Sequence, residues 1–459
     1  MRNSGTVKRG LESAKFHFVG IGGIGMCGLA ELLKNMGAEV TGSDLSRNRQ
    51  TERLESLGIP IFHEHSSENV GDIDVLVYSS AVKMENPEVR AARQNKIPVI
   101  RRAEALAELM RLKRGIAVAG THGKTTTTSL AASSLVTAGL DPTVVVGGRL
   151  DMFESTAKLG QGEWLIAEAD ESDGSFHRLS PEVVIITNID DDHLDHYGST
   201  DALEKAFFDF AANIPFYGLA IVCGDDPRLK RAVTNLSKRY VTYGFDRDND
   251  YSIEKSEGLY KVFDGAELIG HFTNSVPGDH NALNALAVIA LGQHLGLSFS
   301  EAIEGIEGFK GVDRRFQKKG VVRGIDFYDD YGHHPTEVKA TLKGFRDHFS
   351  NRKVRVIFQP HRYSRTELCW SDFLQSFHDA DEVYVTEIYP AGEKPIENIT
   401  AQRLVAEINH PHVSLFDIES DAQVEKFRKS LLEGDVVLTL GAGNIFRFGE
   451  ALLEKMAKG

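Results

Sequence analysis

Ala119-Gly-Thr-His-Gly-Lys-Thr-Thr-Thr-Thr128 lies between an apolar run and a helical one. The run before it, Gly115-Ile-Ala-Val118, reads as a short buried strand. The segment after it, Ser129-Leu-Ala-Ala-Ser-Ser-Leu-Val-Thr-Ala138, reads as a helix. Strand, glycine turn, Lys-Thr and helix make the frame of a phosphate-binding loop. Backbone N–H groups and the positive helix N-terminus face the anion, Lys124 adds a charge, and a Thr hydroxyl can hold Mg²⁺. The general pattern wants a glycine five residues before Gly123. Val118 stands there instead, and Gly120 closes a shorter loop. The competing reading is a glycine turn that caps an ordinary Thr-rich helix.

Working back from the loop, the amino-terminal part alternates strands and helices. Phe16-His-Phe-Val19 reads as a strand, followed by Gly20-Ile-Gly22-Gly-Ile-Gly25, a helix from Met26 to Met36, and a strand from Ala38 that ends in Gly42-Ser-Asp44. The glycines match G-x-G-x-x-G. The turn brings the backbone close to a pyrophosphate, and Asp44 offers a carboxylate to a ribose hydroxyl. Taken alone, this segment favours a nicotinamide dinucleotide, although a UDP-sugar presents the same diphosphate and ribose. Further strands at 59–62, 75–78 and 97–100 and a helix from Ala103 to Arg114 imply a parallel sheet.

Working forward, the loop's helix is followed by strands that each run straight into ionisable residues. Trp164-Leu-Ile-Ala167 leads into Glu168-Ala-Asp170-Glu171-Ser-Asp173. Val183-Val-Ile-Ile-Thr187 leads into Asn188-Ile-Asp190-Asp191-Asp192-His193. In open α/β sheets ligands bind at that edge, and carboxylates with a His beside a phosphate loop suit Mg²⁺; solvated acidic loops are the alternative. From Tyr217 to Val276 short alternating segments predict an antiparallel excursion. Asn281 and Asn284 share one face of a helix's first turn, placed for an adenine edge or for capping. Arg314 and Arg315 are adjacent in a loop, a setting that suits phosphate contact. In the last third, strands ending at Tyr328 and Phe358 lead into Asp329-Asp-Tyr-Gly-His-His-Pro335 and Gln359-Pro-His-Arg-Tyr-Ser-Arg365. His333 and His334 make only a weak metal site. His361, Arg362 and Arg365 form a compact cationic set for a carboxylate.

The chain of 459 residues is too long for one ordinary core and predicts several domains. A net charge of −14 argues against nucleic-acid and anionic-membrane binding. Three scattered cysteines, no CxxC pair, no apolar core in the segment that starts Met1-Arg-Asn-Ser-Gly, and no long apolar run point to a cytoplasmic protein without membrane insertion. The expected fold is three consecutive α/β domains with mainly parallel sheets. They are a Rossmann-like domain (1–113), a P-loop ATPase-like domain with an antiparallel excursion (114–317), and a Rossmann-like C-terminal domain (318–459).

Seven segments taken in order carry a resemblance. They are Gly20-Ile-Gly-Gly-Ile-Gly-Met26, Gly120-Thr-His-Gly-Lys-Thr-Thr126, Glu168-Ala-Asp-Glu-Ser-Asp173, Asp192-His193, His280-Asn-Ala-Leu-Asn284, Asp329-Asp-Tyr-Gly-His-His-Pro-Thr-Glu337 and Pro360-His-Arg-Tyr-Ser-Arg-Thr366. Together they resemble the Mur ligases of peptidoglycan precursor synthesis, the alanine-adding members above all. The resemblance displaces the nicotinamide reading. It implies a UDP-sugar on Gly20, Gly22, Gly23, Gly25, Asp44, Ser79 and Ser80, and ATP on Gly120, Thr121, His122, Gly123, Lys124, Thr125, Thr126, His280, Asn281, Asn284 and Arg314. Mg²⁺ would sit on Thr125, Glu168 and His193. Catalysis would involve Lys124, His193, Arg315, Asp330 and His333, and His361, Arg362 and Arg365 would hold the amino-acid carboxylate. The implied partners are UDP-N-acetylmuramate, L-alanine and ATP. Relatives that add later residues carry a carbamylated lysine where this chain has Phe208, with Lys205 nearby.

The implied chemistry is attack of a sugar-borne carboxylate on the γ-phosphoryl of ATP, followed by attack of the amino acid's amine on the acyl phosphate. Closure of the third domain over the second is expected to keep water away. Competing readings are a ligase that recycles muropeptides onto the same UDP-sugar, a dinucleotide-dependent oxidoreductase with an appended NTPase domain, and a non-catalytic nucleotide sensor.

Overall fold

The computed structural model describes residues 13–79, 81–150 and 155–458. Ser80 and the amino-terminal segment read as leaderless lie outside the described residues. Two compact units emerge. One comprises the described residues up to Thr273 together with Leu283–Lys310, and the other comprises Asn274–Ala282 and the residues from Gly311 onward.

The first unit holds two sheets. The amino-terminal one has the spatial order Ile61–Phe62, Glu39–Ser43, Lys15–Val19, Val75–Tyr78, Val99–Arg101, and every pairing is parallel. Strand order reverses at Lys15–Val19, so the Gly20 turn opens at a topological switch point, where α/β sheets bind ligands.

The larger sheet runs Glu267–Phe272, Leu259–Asp264, Tyr251–Ser256, Tyr240–Gly244, Leu219–Cys223, Val183–Ile186, Arg114–Ala119, Trp164–Glu168, Thr143–Leu150, Ser155–Lys158. The antiparallel excursion is shorter than the alternation predicts. Leu219–Cys223 and Tyr240–Gly244 continue the parallel sheet, and within this stretch the antiparallel pairings begin after Tyr251; at the sheet's other edge Ser155–Lys158 also pairs antiparallel. The reason is burial. Every residue of Leu219–Cys223 is buried, which requires cover on both faces, as a parallel sheet has.

The helix Lys124–Thr137 that follows the central strand starts with four threonines, poor helix formers. Tertiary packing holds it instead. Residues Thr126 to Leu135 are all buried, and Ser133 Oγ and Ser134 Oγ donate to the carbonyls of Gly305 and Ala302 at 2.7 and 2.8 Å. A Cβ on Gly305 would lie 2.5 Å from Ser133 O, so only glycine lets helix Phe299–Glu307 approach this closely.

The second unit's sheet has the order Gln317–Val322, Ile325–Asp330, Val436–Leu440, Val354–Phe358, Glu382–Val385, Val413–Leu415, with only the first pair antiparallel. Phe345, Phe358, Phe373 and Phe377 fill the core on one face, and Ile357, Phe427 and Ile445 that on the other. Pro335 opens helix Pro335–His348 as its sequence position predicts. Its fixed φ suits the first turn, and Glu337 closes a capping box with His334.

Candidate active site

The phosphate-type loop is built by close approach. Gly120 has φ +128°, and a Cβ there would fall 2.0 Å from Thr187 Oγ1. Gly123 has φ +85°, and its Cβ would lie 2.9 Å from Asn284 Oδ1. Both positions need glycine, for conformation and for space. The strand end at Thr187-Asn188 fixes the loop between them. Thr121 N donates to Asn188 O (3.0 Å), His122 N to Asn188 Oδ1 (2.9 Å), and Thr187 Oγ1 to His122 O (2.5 Å). His122 Nε2 pairs with Asp190 Oδ2 at 2.9 Å. The helix then begins at Lys124, and its first-turn N–H groups, which lack acceptors within the helix, face the loop.

Lys124 Nζ lies over the loop, donating to Gly120 O (2.6 Å), Thr121 O (3.0 Å) and Glu171 Oε1 (2.9 Å). Burial opposes its charge, but Glu171, Asp170 and Glu168 outweigh that and hold its pKa above the ordinary lysine value. Glu171 bears the opposite strain: burial, with Asp170 adding to it, pushes its carboxyl up to about 7 against the pull of Lys124. Glu168 receives Thr125 Oγ1 at 3.0 and 3.2 Å and Gly147 N at 2.8 Å. A hydroxyl and a carboxylate touching at the helix start are oxygen donors that fit a hard divalent cation, and a Cβ on Gly147 would crowd Glu168 Oε2 at 2.7 Å. His193 takes φ +58° at the start of helix Leu194–Tyr197, with Nε2 3.9 Å from Glu171 Oε1 and 3.7 Å from Asp192 Oδ2. The described contacts therefore place His193 beside Glu171, while Thr125 meets Glu168.

The first glycine loop has no lysine. Gly20 (φ +79°) and Ile21 both donate their N–H to Ser43 O, at 2.8 and 3.0 Å, and Gly23 caps helix Ile24–Asn35. Asp44, read from sequence as a ribose ligand, accepts Gly22 N and Ser46 N at 2.9 Å each, so it also ties the loop to the second strand. Gly25 faces the Arg102 side chain, and a Cβ on Gly20 would lie 3.1 Å from Ser79 Cβ. Ser79 N closes onto Val19 O at 3.1 Å.

The second unit holds the remaining predicted residues other than Asn284. Arg314 is committed within its own unit. Its Nε donates to Asp329 Oδ2 at 2.9 Å, and its other nitrogens reach the carbonyls of Gly441, Ala442 and Gly443. Arg315 Nη1 lies 3.6 Å from Glu337 Oε1. Asp330 is buried and accepts Phe316 N and Gly332 N at 2.8 Å each; burial raises its pKa despite Arg315. It shapes the turn that carries His333, whose Nδ1 lies 3.1 Å from Tyr331 O. Asn281 Nδ2 donates to Pro277 O at 2.7 Å, and His280 packs on Gly278. Asn284, by contrast, packs against Gly123 of the phosphate loop in the first unit.

The set His361, Arg362, Arg365 is cationic at two positions only. Burial, reinforced by Arg365 and Arg362, lowers the His361 pKa to about 4, so the ring is neutral near pH 7. It stacks on Tyr389 at 5.6 Å and lies 3.4 Å from Arg365 Nη1. Arg362 is exposed and adopts φ +68° at the start of helix Tyr363–Leu368, with its N–H on Tyr389 O at 2.8 Å.

Three family models match this chain in succession: "Mur ligase family, catalytic domain" over residues 15–114, "Mur ligase middle domain" over 118–292, and "Mur ligase, glutamate ligase domain" over 314–443. The chain belongs to the Mur ligase family. Among its relatives, UDP-N-acetylmuramate–L-alanine ligase of Bdellovibrio bacteriovorus is 54% identical over 452 residues, 97% of this chain and 100% of the relative. The protein of the same name from Geotalea uraniireducens is 51% identical over 449 residues, 96% of this chain and 98% of its own. The crystal structure of UDP-N-acetylmuramate-alanine ligase MurC from Thermotoga maritima matches with a TM-score of 0.81 at 32% identity, covering 97% of this chain and 99% of that one.

In this Mur ligase, sequence reasoning passed over Glu171 and Asn188. Both occur in quoted strand-end clusters, but nothing in their spacing separates them from neighbouring carboxylates and amides. Glu171 matters because it alone of its cluster hydrogen-bonds Lys124, and Asn188 because it braces the loop through both backbone and side chain. No described helix is long and apolar enough to cross a membrane.

Proposed function

We propose that this Mur ligase joins L-alanine to the carboxylate of UDP-N-acetylmuramate, driven by ATP through an acyl phosphate. The observation that carries the reading is the pair of switch-point loops, one with a lysine and one without. They lie in a chain collinear over nearly its whole length with proteins named for that reaction. Residues 1–113 would hold the UDP-sugar on Gly20, Gly22, Gly23, Gly25, Asp44, Ser79 and Ser80. Residues 114–317 would hold ATP on the Gly120–Thr126 loop with Asn284, and residues 318–459 the amino acid. The reaction is placed in the cytoplasm, in keeping with nucleotide substrates and free cysteines.

Two anions must meet in the first step, a carboxylate and the γ-phosphoryl. Lys124 offsets their repulsion from a fixed position, which is the cheapest form of transition-state stabilisation because nothing has to reorganise. Thr125 and Glu168, with His193 nearby, would hold Mg²⁺, which when bound neutralises phosphate charge. Arg315 is the arginine assigned to phosphate. In the second step Arg362 and Arg365 hold the amino-acid carboxylate, and neutral His361 contributes a hydrogen bond. His333 is the candidate to take the proton from the amine as it attacks.

The test is phosphate release from ATP in the presence of UDP-N-acetylmuramate, comparing L-alanine, glycine, L-serine and a tripeptide. L-Alanine is expected to give the highest kcat/KM. Release with the tripeptide alone would make this a recycling ligase, and tight NADH binding without release would revive the oxidoreductase.

A further inference from the structure

The amino-terminal sheet buries an ionic network that the proposed chemistry does not use. Glu88 and His17 are both fully buried. Glu88 Oε1 accepts Asn69 Nδ2 at 2.6 Å and lies 3.7 Å from His17 Nε2, which has no hydrogen-bond partner. Glu88 Oε2 accepts Ser43 Oγ at 2.6 Å, and His65 Nδ1 stands 3.1 Å from both of those oxygens. Glu88 also occupies the first turn of helix Pro87–Gln94, where the helix dipole favours a negative charge. Burial works against its ionisation, but His17, Ser43 and Asn69 together hold its pKa below the ordinary glutamate value.

A buried carboxylate of this kind is weak evidence for stability, since an apolar core of the same volume generally serves as well. Its Oε2 side, shared with His65, is anchored on one residue, Ser43. The carbonyl of Ser43 receives the N–H groups of both Gly20 and Ile21, and the next residue, Asp44, takes Gly22 N. Ser43 thus bonds Glu88 through its side chain and the loop through its main chain.

We infer that Glu88 is a positioning residue for the first glycine loop, holding Ser43 so that the Gly20–Gly22 backbone is preset for a diphosphate. The inference rests on reading that loop as the UDP-sugar site. Both carboxylate oxygens already face donors, so Glu88→Gln sets an amide N–H against Asn69 Nδ2 or reverses the bond to Ser43 Oγ, removing the charge-assisted anchor at constant size.

The experiment measures KM for UDP-N-acetylmuramate, KM for ATP and kcat in wild type, Glu88→Gln, Ser43→Ala and the double variant. Glu88→Gln is expected to raise the UDP-sugar KM about tenfold, with kcat and the ATP KM within about twofold, as for loss of one preorganised contact to a charged group. Because the two residues act as one unit, the double variant should be no worse than Glu88→Gln alone. An unchanged UDP-sugar KM, an equal rise in both KM values, or additive effects in the double variant would overturn the inference. Should Glu88→Gln fail to fold, the same split in Ser43→Ala decides. Wild-type titration with uridine diphosphate separates the two levels: no binding there would sink the reading of the loop itself.

Discussion

The two glycine loops open at the same kind of place, the C-terminal end of a parallel strand where strand order reverses, yet they recruit different side chains. The Gly120 loop concentrates charge: Lys124 faces Glu171, and Thr125 faces Glu168. The Gly20 loop carries no lysine and is braced by backbone bonds to Ser43 and by the Asp44 carboxylate. A loop that only has to hold a diphosphate can rely on N–H groups and a helix N-terminus. A loop at which bond-making requires two anions to meet needs a preorganised positive charge and oxygen donors for a cation. The proposed division between binding and chemistry follows the side chains that the same architecture recruits.

Removing the charge should break the comparison most sharply. Lys124→Ala is expected to lower kcat by about 10² or more with the fold retained; near-normal turnover in a folded variant would mean that the second loop is also only a holder. Next in size is backbone strain. Gly120→Ala would force a methyl group onto Thr187, and about 3 kcal/mol of lost stability is expected, against about 1–2 for Gly20→Ala, whose Cβ would come no closer than 3.1 Å to Ser79 and 3.4 Å to Val82. Urea denaturation compares the two directly, and equal losses would show that the Thr187 contact relaxes freely.

A smaller, more specific effect separates the acidic residues. Glu168→Gln should raise the Mg²⁺ concentration for half-maximal activity about tenfold, as for loss of a ligand or its support. Asp44→Asn should leave that value alone and weaken the UDP-sugar instead. A shift of the Mg²⁺ requirement in Asp44→Asn would erase the proposed division. The mildest test concerns pH. The folded-state pKa of Glu171 is raised from 4.5 to about 7, so its protonated form favours the folded protein. Its stabilising contribution is complete below pH 4.5 and is lost as the pH rises through about 7. The melting temperature of ligand-free wild type should therefore fall relative to Glu171→Gln across that window, and parallel curves would refute the assignment.

Local pattern was enough for the three α/β regions, for both glycine loops and for the strand-end location of Glu168, His193, His333 and Arg362. Hydrophobic periodicity and glycine spacing report short-range geometry, and loop ends of parallel strands are where that geometry puts polar residues. Pattern sets the onset of the antiparallel hairpins too early, at Tyr217, because the alternating segments after Tyr251 are extended back over Leu219-Ala-Ile-Val-Cys223, an unbroken apolar run that fits a strand covered on both faces. Only tertiary structure could distinguish Arg314 from Arg315, since the distinction is made by Asp329 and the Gly441–Gly443 carbonyls, more than a hundred residues away in the latter case. The same holds for His361, neutralised by burial and two arginines, and for Glu171, which a buried lysine singles out from its acidic neighbours. Residue type and spacing settle which chemistry is available at a strand end. Burial and partners from distant strands settle which charges are spent on holding the fold and which remain for a substrate.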